Sequence, residues 1–473
     1  MDDLKIYTGT LAYKNIQFTF VFDGNELRLI PFSDDQSQFE RSILYKELGH
    51  GVYTLASPII EQPYLIGKCN ETGRTIIFFM HEGVRFGSYN TILSTHVVAY
   101  ILCNSGTHPI SEMSFTCPEL DCIHPVTQGF VCTLKQEQFQ EQGILSVQTE
   151  DYDATTTEER HFQLDGVDVR VSFGISRMIG MKIGDPPLRL HSTMVFHFAP
   201  TEDYSFILRL WYMAKGFLQF LCYRRDVFIP TANLSTPATE GKTRSFATFN
   251  MIGESGEKDV EALKDGRYVK LSYLSGSEGR ILNDIAENRL YTRHIPDTRI
   301  SGSIINAARF IMITAAFEWE FRRLYPAGIT KSAETLAIEA TAQKELQKLI
   351  DNSTGALKQK YKFLRKLIPS NSLQSEIIHI GNHLGSLLEP FGKRLYSMNK
   401  AELVYSEMGN RLASRRNKYA HGDLDIDFKD NALLDLIYTE RIVYAMQLSF
   451  YGIEERNIQK AVNDLFHCGL YIK

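Results

Sequence analysis

The chain has 473 residues, of which 44% are hydrophobic and 23% are charged, and its formal net charge at pH 7 is −5. This composition is typical of a globular protein, and the length predicts two or three domains that each bury a core. No run of about 18 apolar residues occurs, so the sequence predicts no membrane-spanning helix.

The first residues and the cysteines indicate the compartment. Residues 1–5 are acidic and lack the apolar region of a secretory signal peptide. The seven cysteines are odd in number and mostly scattered, which fits a reducing environment better than a disulfide framework. We therefore expect a cytoplasmic protein.

Charge is divided unevenly along the chain. Residues 301–473 contain 23 Lys and Arg against 19 Asp and Glu, a net charge of +4, whereas residues 1–300 contain 28 against 37, a net charge of −9. Residues 358–418 contain 12 basic and four acidic side chains. This basic stretch suits a polyanionic partner, although a solvated helical face has a similar composition.

Residues 1–160 alternate between apolar and polar side chains, which predicts a β-rich N-terminal domain. Turn residues between alternating runs predict hairpins around positions 23–25 and 70–73. A buried strand is predicted at 96–102, and the polar stretch 134–160 is predicted to be a loop.

Residues 161–300 predict a second β-containing segment with one long helix and a linker. The helix begins after Pro200, with acidic residues in its first turn, and runs to about Cys222. Trp211 on this helix is predicted to pack in the core, with base stacking as the less favoured alternative. The predicted strands are 167–173, parts of 188–198, 246–252 and 268–273.

From residue 301 onward, apolar residues recur at helical spacing to the end of the chain, which predicts an all-α domain. The predicted helices span 304–325, 332–351, 356–367, 373–388, 401–418, 432–450 and 454–470. The expected fold class is therefore α+β and multidomain, with a β-rich N-terminal region followed by an all-α helical bundle.

One stretch has residues that bind zinc in other proteins. The cysteines and histidines within these thirty residues are Cys103, His108, Cys117, Cys122, His124 and Cys132. A structural zinc site needs four ligands, usually as two close pairs, and only Cys117 and Cys122 have a tolerable spacing. Buried free cysteines are therefore favoured over zinc, and we expect neither a metal nor a cofactor.

Residues 415–422 read Arg-Arg-Asn-Lys-Tyr-Ala-His-Gly and close a predicted helix, with Gly422 as its stop signal. Guanidinium offers a fixed fork to phosphate oxygens, and imidazole moves protons near pH 7, so Arg416 and His421 suit phosphodiester cleavage. Cations also favour helix C-termini for structural reasons. On an ideal helix Arg416 lies about 140° from His421, so a distortion or a second copy is needed to bring them together.

Two carboxylates lie on the first predicted helix of the all-α domain. Glu318 and Glu320 are two residues apart and face different sides of a helix, which makes them a poor acid–base pair. Either one could instead orient Arg416 through a carboxylate–guanidinium pair. A surface ion pair with Arg322 or Arg323 is the favoured alternative.

Residues 416–421 match the Arg-x4-His motif, with a polar residue after the Arg, that marks HEPN-domain ribonucleases. Together with residues 307–321, the 9–11 hairpin and residues 110–115, the chain resembles the ApeA family of abortive-infection proteins. In that family a C-terminal HEPN domain follows a β-rich region. The resemblance implies a metal-independent endoribonuclease in anti-phage defence, with tRNA among its expected substrates, and a HEPN-mediated homodimer or higher oligomer. The N-terminal region would then restrain the nuclease or sense a trigger such as a phage protein.

The resemblance assigns Arg416, Asn417 and His421 to catalysis, and it leaves the register of the catalytic arginine open between Arg415 and Arg416. His421 would act as general base or acid, Arg416 would stabilise the phosphorane, and Asn417 would position phosphate or imidazole. The cations expected to bind RNA are Arg411, Arg415 and Lys418.

Two other functions remain as alternatives. A HEPN module without catalytic activity would bind RNA or a protein partner, although the combination of arginine, asparagine and histidine favours the enzyme. The β-rich half could act on a carbohydrate or another ligand, but it carries no paired acids and no nucleophile motif.

Overall fold

The computed structural model describes residues 6–33, 39, 45–55, 62–80, 87–89, 92–133, 146–180, 184, 186–238, 242–253, 263–368, 372–422, 428 and 431–472. The chain divides into two compact units. The first comprises Met1–Lys264, Lys270–Ser272 and Gly276–Glu287, and the second comprises Asp265–Val269, Tyr273–Ser275 and Asn288–Lys473. The chain is thus α+β and multidomain, as the sequence predicts.

The first unit is built mainly from β-strands. They are β1 (Tyr7–Tyr13), β2 (Ile16–Phe22), β3 (Glu26–Pro31), β4 (Tyr45–Gly49), β5 (Val52–Leu55), β6 (Tyr64–Cys69), β7 (Thr75–Met80), β8 (Gly87–Tyr89), β9 (Ile92–Cys103), β10 (Ile110–Thr116), β11 (Phe130–Thr133), β12 (Ser146–Thr149), β13 (Arg160–Leu164), β14 (Val167–Ile179), β15 (Leu188–Thr201), β16 (Thr231–Pro237) and β17 (Thr243–Met251).

A 13-stranded antiparallel sheet has the order β13-β14-β15-β10-β16-β17-β9-β3-β2-β1-β6-β7, with β8 also on β9. Because β7 pairs with β9 as well, strands β9, β3, β2, β1, β6 and β7 form a closed ring. Strand β10 lies between β15 and β16, and β17 pairs with β9. The strands of the segments 1–160 and 161–300 therefore share one sheet within the first unit, whereas residues 288–300 belong to the second unit.

The hairpins predicted around positions 23–25 and 70–73 are confirmed. In the first turn, the Asp23 carboxylate accepts hydrogen bonds from the backbone N–H groups of Asn25 and Glu26 at 3.0 and 2.8 Å. Such Asx contacts replace backbone pairing where the chain reverses. The alternation also places Phe20 and Phe22 against the ring of Phe78, at centroid distances of 5.3 and 5.1 Å.

Two predictions in the first unit need correction. Of the predicted loop 134–160, residues 134–145 lie outside the described residues, whereas Ser146–Thr149 is strand β12. The strand predicted at 268–273 is absent, because this stretch contains a short 3-10 turn at Leu271–Tyr273. Ser275 follows in the left-handed conformation, with φ 53°, and such a residue ends an extended chain.

The prediction that Trp211 packs in the core is confirmed. Trp211 is 1% exposed, and its indole N–H donates to the Ile229 carbonyl at 3.1 Å.

The helices are distributed over both units. The first unit contains α1 (Pro118–Ile123), α2 (Tyr152–Thr155), α3 (Tyr204–Cys222) and α4 (Glu278–Ala286), and the second contains α5 (Arg299–Ser303), α6 (Ala307–Leu324), α7 (Ala333–Asp351), α8 (Gly355–Leu367), α9 (Leu373–His383), α10 (Gly385–Met398), α11 (Tyr405–Ala420), α12 (Ala432–Phe450) and α13 (Glu455–Leu465). Within the described ranges, no helix is long and apolar enough to cross a membrane.

The prediction of one helix over 373–388 is wrong, because the structure has two helices there. Leu384, with φ −110° and ψ 17°, separates α9 from α10. Helix α10 then continues through Pro390 to Met398. Pro390 has no N–H to donate to the Ser386 carbonyl, and the Gln459 side chain donates to that carbonyl instead at 3.5 Å. Gln459 of α13 thus donates to the Ser386 carbonyl, which has no backbone donor because of Pro390.

Helix α12 is the central element of the second unit and is buried on nearly all sides. Its Asp435, fully buried, accepts two hydrogen bonds from the Arg411 guanidinium of α11, at 2.7 and 2.9 Å, and one from the Tyr396 hydroxyl of α10. A buried carboxylate is tolerated only when its oxygens are paired in this way. The ion pair therefore joins α11 to α12, and the hydrogen bond from Tyr396 joins α10 to the same carboxylate.

We predict that Asp435→Asn lowers the free energy of unfolding by about 3–5 kcal/mol, because it leaves the Arg411 charge without its buried partner. The matched control is Glu407→Gln, which removes the exposed second partner of Arg411 at 3.3 Å and should cost less than about 0.5 kcal/mol. Urea denaturation monitored by circular dichroism measures both variants. Equal losses in the two would contradict the central role of Asp435.

Candidate active site

Helix α11 carries the Arg-x4-His motif at its C-terminal end. Met408, Leu412 and Tyr419 are at most 3% exposed and fix the rotation of the helix, since this apolar face packs inward. The Tyr419 ring also contacts the Phe310 ring of α6, with centroids 5.2 Å apart. The opposite face, including Asn417, is consequently directed to solvent.

The helix continues two residues beyond the end predicted at position 418. His421 is the C-cap residue, with φ −92° and ψ 8°, and its backbone N–H bonds to the carbonyls of Asn417 and Lys418 at 3.1 Å. Gly422 follows in the left-handed conformation at φ 88°, which an L side chain rarely adopts. The exposed His421 therefore stands at the helix end. The acidic stretch 423–427 lies outside the described residues.

The Arg416 guanidinium donates a hydrogen bond to a Glu318 carboxylate oxygen at 2.8 Å. The side chain of Glu318 is 15% exposed and that of Arg416 is 43% exposed. The carboxylate of α6 thus orients an arginine that remains open to solvent on one side. Of the two interpretations of Glu318, the contact to Arg416 is the one present.

Glu320 has a different environment, as expected for two carboxylates two residues apart on a helix. Its buried carboxylate accepts from the Arg323 guanidinium and from the Tyr291 backbone N–H, both at 2.9 Å, and from the Gln447 amide at 3.2 Å. Burial raises the pKa of Glu320 despite these donors. Glu320 therefore belongs to the core of the second unit, and we remove it from the candidate site.

A third carboxylate, Glu376 of α9, is influenced by the charges of Glu318 and Arg416. It was not identified from the sequence. It is 5% exposed, and its Oε2 atom is buried without a hydrogen-bond partner. Burial, and after it the negative charge of Glu318, raise the pKa of Glu376 to about 7, although the positive charges of Arg322 and Arg416 oppose the shift. The sequence did carry a signal for the burial of Glu376, because the residue lies between Leu373 and Ile377 on the apolar face of the helix.

The three neighbouring cations of α11 have different environments. Arg411, one of the cations predicted to bind RNA, is paired with the buried Asp435 of α12. The Arg415 guanidinium lies over the Phe428 ring, 4.9 Å from its centroid. Lys418 is exposed. Glu318 contacts Arg416, the second of the two adjacent arginines.

Further positive charge lies on helix α8 of the same unit. This helix contains five cations and no carboxylate, and none of its residues is buried. Lys360, Lys362 and Lys366 are exposed on it, and the aromatic ring of Phe363 is 57% exposed. Cations interspersed with an exposed aromatic side chain suit a nucleic-acid backbone and its bases.

The cysteine-rich stretch lies in the first unit. Cys103 ends β9, where burial raises its pKa to about 11, and Cys117 is also buried, with its pKa raised by burial. The His124 ring nitrogen lies 3.2 Å from the Thr155 carbonyl. For Cys132 only the backbone is described, as part of β11. Among the described residues, no group of three or more His, Cys, Asp or Glu side chains is arranged to hold a metal ion.

No match to the chain was found among protein-family models, curated proteins or solved structures.

We predict that Glu376 makes stability depend on pH. Its folded-state pKa of about 7 lies above the ordinary value of 4.5, so its stabilising contribution is complete below pH 4.5 and is lost as pH rises through 7. Glu376→Gln cannot ionise, so its stability relative to wild type should increase by up to about 3 kcal/mol between pH 4.5 and pH 8. Urea denaturation across this range tests the prediction, and a constant difference would refute it.

Proposed function

We propose that this protein is a metal-independent endoribonuclease of the HEPN type that cleaves RNA by transesterification in an ApeA-like anti-phage defence system. The observation that carries the proposal is the placement of Arg416, which Glu318 orients at 2.8 Å while part of the guanidinium faces solvent, at the helix end where Asn417 and His421 are exposed. An oriented guanidinium and an accessible imidazole supply charge stabilisation and proton transfer once two copies bring them to one phosphate.

The proposed reaction uses the ribose 2′-hydroxyl as nucleophile. His421 takes the 2′-hydroxyl proton, the 2′-oxygen bonds to phosphorus, and the bond from phosphorus to the 5′-oxygen breaks as that oxygen accepts a proton. Arg416 stabilises the added negative charge of the phosphorane, and Asn417 positions the phosphate. The products carry a 2′,3′-cyclic phosphate and a 5′-hydroxyl. DNA lacks the nucleophile and is not a substrate.

One His421 performs only one of the two proton transfers at a time. In a homodimer, the second copy supplies another His421, which takes the remaining acid or base role. Among the described contacts, none joins Arg416 to His421 within one chain. This arrangement supports the pairing of two motifs.

An apolar surface on helix α6 supports the dimer. Its exposed stripe consists of Ala308, Ile311, Met312 and Trp319, with Ile311, Met312 and Trp319 40%, 44% and 46% exposed. Ile311 lies two helical turns before Glu318 on the same side of α6, so the stripe continues to the oriented Arg416. A second copy of this chain covers such a surface and brings its own motif to the same place.

RNA contacts are expected from the cations around the motif. Arg415 and Lys418 flank the proposed catalytic residues, and the five cations of α8 extend the positive surface of the second unit. Phosphate contacts of this kind position the substrate without reading its sequence. Substrates with compact folds, tRNA among them, are compatible with this mode of binding.

The first unit is assigned to sensing or restraint in this proposal. Residues 1–300, which contain the first unit and short stretches of the second, carry a net charge of −9, whereas residues 301–473 carry +4. An acidic unit does not compete for RNA, and it leaves a separate surface for a trigger such as a phage protein.

We predict that the purified protein cleaves RNA in excess EDTA and leaves 2′,3′-cyclic phosphate ends. Arg416→Ala and His421→Ala should each lower the rate by about 100-fold or more, because each removes a group that acts in the transition state. Lys348→Ala removes a cation paired with Glu345 on α7 and serves as the control with unchanged activity.

In cells challenged with phage, the His421→Ala variant should lose the protection that wild type confers.

Products with 5′-phosphate ends, or activity that requires added magnesium, would contradict this mechanism. A wild-type protein that binds RNA without cleaving it would instead support a non-catalytic HEPN module. The contact between Arg416 and Glu318 is compatible with that alternative, since an oriented guanidinium also binds phosphate.

We also predict that Met312→Glu yields a folded monomer that no longer cleaves RNA, because a charge in the apolar stripe of α6 disfavours the dimer. The matched control is Leu336→Glu on α7, where the original side chain is 53% exposed. Light scattering at micromolar concentration reports the mass, and the cleavage assay reports activity. A wild-type protein that is monomeric and fully active would refute the two-copy site.

A further inference from the structure

Three ring-bearing side chains of the second unit form a cluster where α6 ends beside the C-terminal half of α9. The rings of His379 and His383 lie one turn apart on α9 and stack, with centroids 4.1 Å apart and planes inclined by 29°. Tyr325, the residue that caps α6, meets both imidazoles edge to face, at 4.7 Å from His379 and 5.7 Å from His383. We call these three side chains the aromatic platform.

The aromatic platform is anchored on its inner side and accessible on its outer side. The His379 ring also contacts the ring of Phe321, a buried residue of α6, at a centroid distance of 5.8 Å. His383, the next ring of the stack, is exposed. Stacked and edge-to-face contacts restrict the rotation of both imidazoles. A ring that is already held in place at the surface binds another ring with little further loss of side-chain entropy.

The inner ring of the stack has an incomplete hydrogen-bonding environment. The Nε2 atom of His379 is buried and has no hydrogen-bond partner among the described residues. Burial, and after it the charge of His383, lower the pKa of His379. A buried ring nitrogen without a partner carries a desolvation cost, which a bound group with a polar atom removes. The stacked rings and the open nitrogen together suit a ligand that combines a flat ring with polar atoms.

The aromatic platform lies in line with the candidate active site. Glu318, which contacts Arg416, precedes Tyr325 by seven residues. Seven residues make about two helical turns, so the two side chains share one face of α6 and lie about 10 Å apart along its axis. An RNA strand whose phosphate contacts Arg416 can therefore place a neighbouring nucleotide on the platform.

We propose that the aromatic platform is a stacking subsite for a nucleobase next to the phosphate that Arg416 contacts. The base stacks on the exposed ring of His383, and polar atoms of its nucleotide supply the partner that His379 Nε2 lacks. Imidazole rings are among the side chains on which RNA bases stack. This inference rests on the proposed ribonuclease function, whereas the stacking itself is independent of cleavage and can be measured without it.

The test compares the binding of two 2′-O-methyl RNA single strands of equal length, one of adenosines and one of abasic sites. The methyl group blocks the nucleophile, so neither strand is cleaved. Both strands carry the same phosphates, so the ratio of their Kd values isolates the contribution of the bases. Fluorescence anisotropy should give an abasic-to-adenosine ratio of about ten or more for wild type, the size of base stacking on a side chain. In His383→Ala the ratio should fall about ten-fold.

Three further variants separate stacking from a general change at this end of α9. His383→Phe keeps an aromatic ring without the imidazole, so it should retain the wild-type ratio. Asn382→Ala changes the adjacent exposed residue of α9 and is the matched control, with an unchanged ratio. Arg416→Ala should weaken the binding of both strands equally, because a phosphate contact does not depend on the bases. The ratio in Arg416→Ala should therefore equal that of wild type.

The outcomes distinguish the aromatic platform from the ribonuclease function. An unchanged ratio in His383→Ala overturns the platform even in a protein that cleaves RNA, and so does a wild type that binds neither strand. A ratio that falls in His383→Ala and persists in His383→Phe supports the platform, and in a protein that does not cleave RNA it rejects the nuclease alone. In an active enzyme, His383→Ala should raise KM about ten-fold with kcat unchanged. A fall in kcat at constant KM would contradict a binding subsite.

Discussion

The buried ion pair between Arg411 and Asp435 is the interaction on which the second unit depends. Asp435 is fully buried on the central helix α12, and it accepts hydrogen bonds from side chains of two other helices. An unpaired carboxylate in this position would carry a large desolvation cost, so α10, α11 and α12 hold one relative arrangement. The rotation of α11 is thereby fixed. That rotation decides which neighbouring side chain each arginine of α11 contacts.

The three arginines of α11 show how position on one helix divides roles. Arg411 faces the buried Asp435, Arg415 lies over the Phe428 ring, and Arg416 is oriented by Glu318. Successive residues turn by about 100°, so adjacent arginines meet different neighbours although their chemistry is the same. Of these three, Arg416 has a carboxylate partner at 2.8 Å and a side chain that is 43% exposed.

Neighbouring carboxylates give the site its electrostatic character. Glu318 is partly exposed and orients Arg416, while Glu376 is buried and has its pKa raised to about 7. The negative charge of Glu318 disfavours a second negative charge on Glu376, because like charges in a buried environment do not ionise with equal ease. The hydrogen bond to Arg416 comes from Glu318, whereas Glu376 Oε2 has no hydrogen-bond partner among the described residues.

The sequence by itself determined the local features of this protein. Alternation and turn residues predicted the hairpins around positions 23–25 and 70–73, and helical spacing predicted α12 at its observed limits. These features depend on residues close together in the chain, so a local pattern records them. The motif at 416–421 is local for the same reason.

Only the tertiary structure decided the long-range features. The pairing of β9 with β17 and of β10 with β15 joins distant segments into one sheet. The orientation of Arg416 by Glu318 spans 98 residues of sequence. Such contacts arise from surfaces that meet only in the folded chain, and no spacing within a single segment encodes them.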